Sequence, residues 1–175
     1  MADSIYALGT PIGRSAVAII RVSGSSFSKG FIKFLNIPIE EKGSWLRSLG
    51  LGGFSDQCLV LNFPGSNSYT GEHVVEIHCH GNPLIVSQLL LVLNEFGLRE
   101  AEKGEFTRRA FVNNKMSLTD AESVMTGIQA GSVQELAALE DFRSGLLGKK
   151  LSGLTEKITE VLVTVESQLD FSDEE

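Results

Sequence analysis

Cysteine is scarce in this chain: only two occur among 175 residues. Cys58 and Cys79 stand alone in apolar, strand-like surroundings, so no disulfide framework is visible and two buried thiols are expected. Histidine is nearly as rare, with three residues, His73, His78 and His80, all in one short segment. Long apolar runs are missing too. The longest, Leu84–Leu93, is interrupted by Ser87 and Gln88, well short of the roughly 18 residues that suggest a membrane span. Positive charge is in deficit, 15 basic against 22 acidic residues for a net of −7. That balance argues against indiscriminate nucleic-acid binding. The amino terminus (Met1-Ala-Asp-Ser) has neither a basic n-region nor an Arg-rich transit pattern, so the expectation is a cytoplasmic protein.

A phosphate-binding loop is also lacking. Backbone cradling of phosphates needs G-x-x-x-x-G-K-[ST], and the nearest approach, Arg143–Lys150 (RSGLLGKK), lacks the leading glycine and the final hydroxyl. The chain is not expected to hydrolyse a nucleotide by itself.

What is present reads as α+β. Ile5–Leu8 and Ala16–Val22 are rich in β-branched residues and flank a Pro11/Gly13 turn, the pattern of paired strands. Ser25–Leu35 has helical spacing, with Ser25 or Ser26 as the expected cap. A strand is expected near Leu46–Leu51, and others at Gln57–Phe63 and His73–Cys79. Asn82-Pro83 then opens a helix running over Leu84–Phe96 and stopped by Gly97. Beyond residue 116 only helical spacing remains. Thr119-x-x-Glu122 reads as a capping box, and one seam through Val124, Ile128, Leu136, Leu139 and Phe142 predicts a helix of about 30 residues, roughly 45 Å long. A second seam follows Gly148 and Gly153. Two such helices cannot cover both seams, so partner helices are expected from another chain or from further sequence. The acidic end, Asp170–Glu175, disfavours a helix terminus there, and the chain reads as the amino-terminal portion of something longer.

The chemistry-bearing residues gather in Ser68–Pro83 (SYTGEHVVEIHCHGNP) and Gly104–Glu122 (GEFTRRAFVNNKMSLTDAE). In an extended strand His78 and His80 share one face and His73 and Cys79 the other, so neither face collects the three ligands that zinc usually needs. The same alternation points both histidines away from Cys79, which disfavours a Cys–His nucleophile. Glu76 shares the parity of His78 and His80 and is flanked by Val74, Val75 and Ile77. An unpaired carboxylate there is costly. Two readings fit it: a structural ion pair, or a carboxylate accepting paired N–H donors from a flat heterocycle, with Arg21 and Lys115 on carboxylate or carbonyl groups of the same ligand. Around Lys115 the charge turns locally positive, with Arg99, Lys103, Arg108 and Arg109 against Glu100, Glu102 and Glu105.

Together with Ser4–Gly24 (SIYALGTPIGRSAVAIIRVSG) and Leu169–Glu175 (LDFSDEE), these segments resemble the amino-terminal region of the MnmE (TrmE) tRNA-modification GTPases, in the same order. The resemblance implies an N-terminal tetrahydrofolate-binding and dimerisation domain over residues 1–116. It implies the first part of an all-α helical domain over 117–175. It also implies a 5-formyltetrahydrofolate-type ligand on Arg21 (IIRVSG), Glu76 (VVEIHCHG) and Lys115 (FVNNKMSL). Members of the family are potassium-activated GTPases. With the FAD protein MnmG (GidA) they place an aminomethyl-type group on the wobble uridine of tRNA. GTP, potassium and magnesium belong to a G domain that these residues do not contain. Ser15-Ala16 stands where the family usually has Gly-Gly, a change expected to bear on the turn near Arg21, and Asn82 stands where it often has glycine. Two other readings remain open: a stand-alone folate-dependent enzyme, and a dimerisation module with no ligand.

Overall fold

The computed structural model describes residues 3–170, and its described part divides into two compact units at Met116/Ser117. The first is α+β. Its strands are β1 (Ile5–Leu8), β2 (Ser15–Gly24), β3 (Gly43–Gly50), β4 (Ser55–Phe63), β5 (His73–Gly81) and β6 (Arg99–Glu100). They form one sheet in the order β3-β4-β5-β2-β1-β6. All pairings are antiparallel except β1 with β6, so the sheet is mixed.

Alternation along the strands decides the layering. Ala18, Ile20 and Val22 of β2, Cys58 and Val60 of β4, and Val75, Ile77 and Cys79 of β5 are buried on one face. They join Phe31 and Leu35 of α1 (Lys29–Leu35) and Leu89 and Leu93 of α2 (Pro83–Glu95) in a single core. The opposite face carries the intervening residues of the same strands.

Helix α2 begins as its sequence dictates: Asn82 Oδ1 accepts from the Leu84 N–H, with Pro83 in the first turn. Helix α1 begins later than expected. Ser28, not Ser25 or Ser26, caps it by accepting from the Phe31 N–H. The local spacing of phenylalanines could not distinguish three nearby serines. Two elements had no clear sequence signal: the two-residue strand β6, and α3 (Glu105–Val112), which enters through Gly104 at φ 75°.

The second unit is helical among its described residues. It comprises α4 (Leu118–Gln129), α5 (Val133–Arg143) and α6 (Leu146–Asp170). The expected 30-residue helix is broken. Ser132 caps a new helix by accepting from the Glu135 N–H, while Glu135 accepts from the Gly131 N–H, and Gly145 ends α5 at φ 71°. Gly148 and Gly153, expected as punctuation, lie inside α6; an interior glycine costs only about 1 kcal/mol, which a long helix tolerates. The capping box is also displaced. Ser117 Oγ accepts from the Asp120 N–H while Asp120 accepts from the Ser117 N–H, so α4 begins two residues before the Thr119/Glu122 box would place it. Ile128, Val133, Ile158 and Val161 are well exposed within this unit. No helix among the described residues is long and apolar enough to cross a membrane.

Candidate functional site

The face of the sheet turned away from the core holds an ordered array. In an antiparallel pair, directly opposed residues lie on the same face. Arg21 opposes Glu76 and Glu76 opposes Leu61, which makes one row. Ile19, His78, Leu59 and Leu46 make the next row, and Val17 with His80 the one after. Ser15 and Ala16 fall at a β-bulge, after which the β2–β5 register runs unbroken from Val17 to Gly24.

Arg21 Nε donates to Glu76 Oε1 at 2.9 Å, and His78 Nε2 lies 3.2 Å from Glu76 Oε2. Glu76 thus has a cation on one oxygen and an imidazole on the other, which compensates a carboxylate set among valines and isoleucine. Each carboxylate oxygen can accept two hydrogen bonds, so half the acceptor capacity of Glu76 is unspent by these contacts. The structural ion pair and the ligand-accepting carboxylate are therefore compatible in one residue.

Lys115 has a different partner. It follows α3, and Nζ donates to the Ser66 carbonyl at 2.7 Å, on the loop between β4 and β5. Gly71 of that loop has φ 76°, and a Cβ there would stand 3.0 Å from both Lys115 Cγ and Asn113 Cβ, so only glycine lets the lysine stem lie across it. Asn113 fastens the same loop by donating to the Thr70 carbonyl at 2.7 Å. The structure therefore joins Arg21 to Glu76 directly, while Lys115 makes no hydrogen bond to either.

The three histidines take three different partners. His73 is held by Asn62. Asn62 Nδ2 donates to the carbonyls of Ile39 and Glu41, so its Oδ1 accepts from His73 Nε2–H at 2.6 Å. Burial lowers the basicity of His73. His78 turns to Glu76, and His80 to Asp56. The thiols are buried, and desolvation pushes Cys79 up to about 11 and Cys58 further still. Among the described residues no group of three or more His, Cys, Asp or Glu side chains is arranged to hold a metal ion.

Two arrangements had no signal in the sequence. One is an ionic knot. Glu105 accepts from Arg99 Nη2 at 2.8 Å, from Arg109 Nη2 at 2.9 Å and from the Glu102 N–H at 2.8 Å. Arg109 also reaches Asp3 and Glu72. The charged residues of this segment are thus spent largely on fastening α3 to β6, to the amino-terminal segment and to the loop before β5. The second is Asp56, a buried carboxylate that accepts from the His80 ring and backbone N–H and, on Oδ2, from the Cys58 thiol at 3.6 Å. The reach of Arg109 to Asp3 and Glu72, and of Asp56 to His80, joins residues distant in sequence. A cleft of about 670 Å³ lies nearby, lined by Ser25, Phe27, Glu72, His73 and Asn113 among others, and includes none of Arg21, Glu76 and Lys115.

A profile of the family described as "GTP-binding protein TrmE N-terminus" matches residues 4–115. The chain is 40% identical over 178 residues to the tRNA modification GTPase MnmE of Maricaulis maris, covering 99% of this chain and 40% of that protein. The same-named protein of Blochmanniella pennsylvanica is 37% identical over 177 residues, with 99% and 38% covered. That of Thermotoga petrophila is 39% identical over 178, with 98% and 39% covered. The chain thus spans about two fifths of the length of these curated relatives. A match over most of the chain, in a unit with a mixed α+β sheet, is decisive: the chain belongs to the TrmE (MnmE) family, and residues 4–115 are its TrmE N-terminal region.

Proposed function

We propose that the first unit binds a one-carbon reduced folate of the 5-formyltetrahydrofolate type. In this reading the chain is the N-terminal, folate-binding part of a tRNA-modification GTPase. The observation that carries it is the Arg21–Glu76 pair, a charged carboxylate on an open sheet face with acceptor capacity left over. Glu76 would accept two N–H bonds from the amino-pyrimidine edge of a pterin, a charge-assisted arrangement. Arg21 holds the Glu76 carboxylate in place and, with Lys115, offers donors to ligand carbonyl or carboxylate oxygens. The resemblance to tetrahydrofolate-binding domains supports the same ligand.

The remaining parts of the function rest on the family. Residues 1–116 would form the folate-binding and homodimerisation domain, and 117–175 the first part of a helical domain. In the parent protein, GTP, potassium and magnesium would act at a G domain, for which these residues hold no P-loop. The substrate would be the wobble uridine of tRNA, modified with a carboxymethylaminomethyl-type group together with the MnmG (GidA) FAD protein in the cytoplasm.

Calorimetric titration with 5-formyltetrahydrofolate tests the ligand, comparing the chain with its Glu76→Ala variant. The expected result is saturable binding weakened at least about tenfold by the substitution, roughly 1.4 kcal/mol. Binding that the variant leaves unchanged would remove Glu76 from the site. A complete lack of binding, with a dimer that survives Arg21→Ala, Glu76→Ala and Lys115→Ala, would favour a module that only dimerises.

A further inference from the structure

Glu76 is tied down twice, and the two ties differ. Arg21 Nε, from β2, donates to Oε1 at 2.9 Å, and His78 Nε2, two residues along β5, lies 3.2 Å from Oε2. A carboxylate has no hydrogen to give, so Nε2–H is the donor of the second bond. That bond needs no charge on the ring. A neutral imidazole with its proton on Nε2 makes it and keeps Nδ1 as an acceptor.

The Arg21 tie is the looser one. Its side chain is 50% exposed, and a long guanidinium side chain keeps many rotamers. The His78 side chain is 23% exposed and stands between Ile19 of β2 and Leu59 of β4, the residues opposed to it on either side. The last torsion of a glutamate is broad, so a carboxylate held by one oxygen turns about that contact. Held by both oxygens, it keeps one plane. Paired N–H donors on a flat heterocycle need that plane, because each must meet its own oxygen, as in other bidentate pairs. Every carboxylate oxygen has room for a second hydrogen bond, so tie and ligand share Oε2 without competing.

Resting on the reading of Glu76 as the acceptor of a pterin edge, we propose that His78 is a positioning residue of the folate site. Its Nε2–H holds Oε2 so that Glu76 presents both oxygens to the amino-pyrimidine edge. His78 acts through Glu76 and sharpens selectivity for heterocycles with two neighbouring N–H donors.

The test is calorimetric titration of the chain with 5-formyltetrahydrofolate and with its analogue lacking the 2-amino group. His78→Leu is expected to weaken the full ligand about tenfold, the scale of one hydrogen bond to a charged group, and the analogue less than about twofold. In a Glu76→Ala background the same substitution should add less than about twofold, the mark of two residues acting as one unit. His78→Gln, which keeps an N–H donor at similar reach, should restore most of the affinity. An unchanged circular dichroism spectrum for His78→Leu excludes a folding defect. Nitrogen-15 shifts of the His78 ring in the unmodified, ligand-bound chain need no variant: Nε2 should carry a proton, and a ring protonated on Nδ1 alone overturns the proposal. If Glu76→Ala weakens binding while His78→Leu does not, or if His78→Leu weakens it equally with and without Glu76, the positioning role is overturned and the folate reading stands. If the unmodified chain binds neither ligand, both readings are overturned.

Discussion

Replacing Glu105 by glutamine keeps the shape of the side chain and removes the charge on which Arg99 and Arg109 converge. Glu105 is 2% exposed, and its carboxyl is lowered to about 2 from 4.5. Hydrogen bonds from Arg99 are the chief cause, opposed by burial and reinforced by the Glu102 N–H and Arg109. At about 1.4 kcal/mol per pKa unit the shift corresponds to about 3 kcal/mol. Arg99 is 43% exposed, so solvent screening reduces this to about 2 kcal/mol. The folded-state value is depressed, so the contribution is fully present above about 4.5 and is lost as pH falls toward 2. The assay is urea unfolding at pH 7 and pH 3. Trp45, the single tryptophan, lies in β3 and reports on the unit that contains Glu105. With a urea slope of about 2 kcal/mol per molar, Glu105→Gln should lower the midpoint by about 1 M at pH 7. At pH 3 that difference should shrink by more than half. A midpoint unmoved at pH 7, or the same difference at both pH values, would refute the argument that charge on Glu105 holds the knot together.

Other consequences are equally direct. Cys58 and Cys79, buried and with raised thiol pKa values, should resist a thiol reagent at pH 8 in the folded chain and both react once it is unfolded; fast labelling of the native protein would contradict their placement. Ser117→Ala removes the capping box of α4 and should destabilise the second unit by about 1 kcal/mol. The loss would appear as reduced helical signal at 222 nm, and Ser117→Asp should restore it. Gly71→Ala forces a side chain into the left-handed region against Asn113 and Lys115. It should cost more than about 1 kcal/mol in the Trp45 unfolding assay, and a neutral result would mean that the loop is not held against them.

Much of the fold is written locally. Alternation of apolar and polar residues in Gln57–Phe63 and His73–Cys79 specifies strands whatever lies beside them. Asn82-Pro83 starts α2 because a side-chain acceptor and a missing N–H both suit a helix entrance. The parity that puts Glu76, His78 and His80 on one face needs nothing but the two-residue period of a strand. Where the sequence offered several equivalent caps, as in Ser25, Ser26 and Ser28, or Ser117 and Thr119, periodicity did not choose among them. The choice depends on where the first turn meets its neighbours.

The sequence by itself thus determined the class of the fold, most of its strands and the side of the sheet on which the candidate site lies. Its motifs also determined the family. Tertiary structure alone decided that Arg21 stands opposite Glu76 and that Lys115 is anchored on the Ser66 loop. It also decided that Arg109 reaches Asp3 and Glu72 and that buried Asp56 holds His80. The physical reason is common to all four. Each depends on strand order and register, or on helix docking, and these follow from burying one core shared by the whole unit, with no local pattern to announce which distant charges will meet.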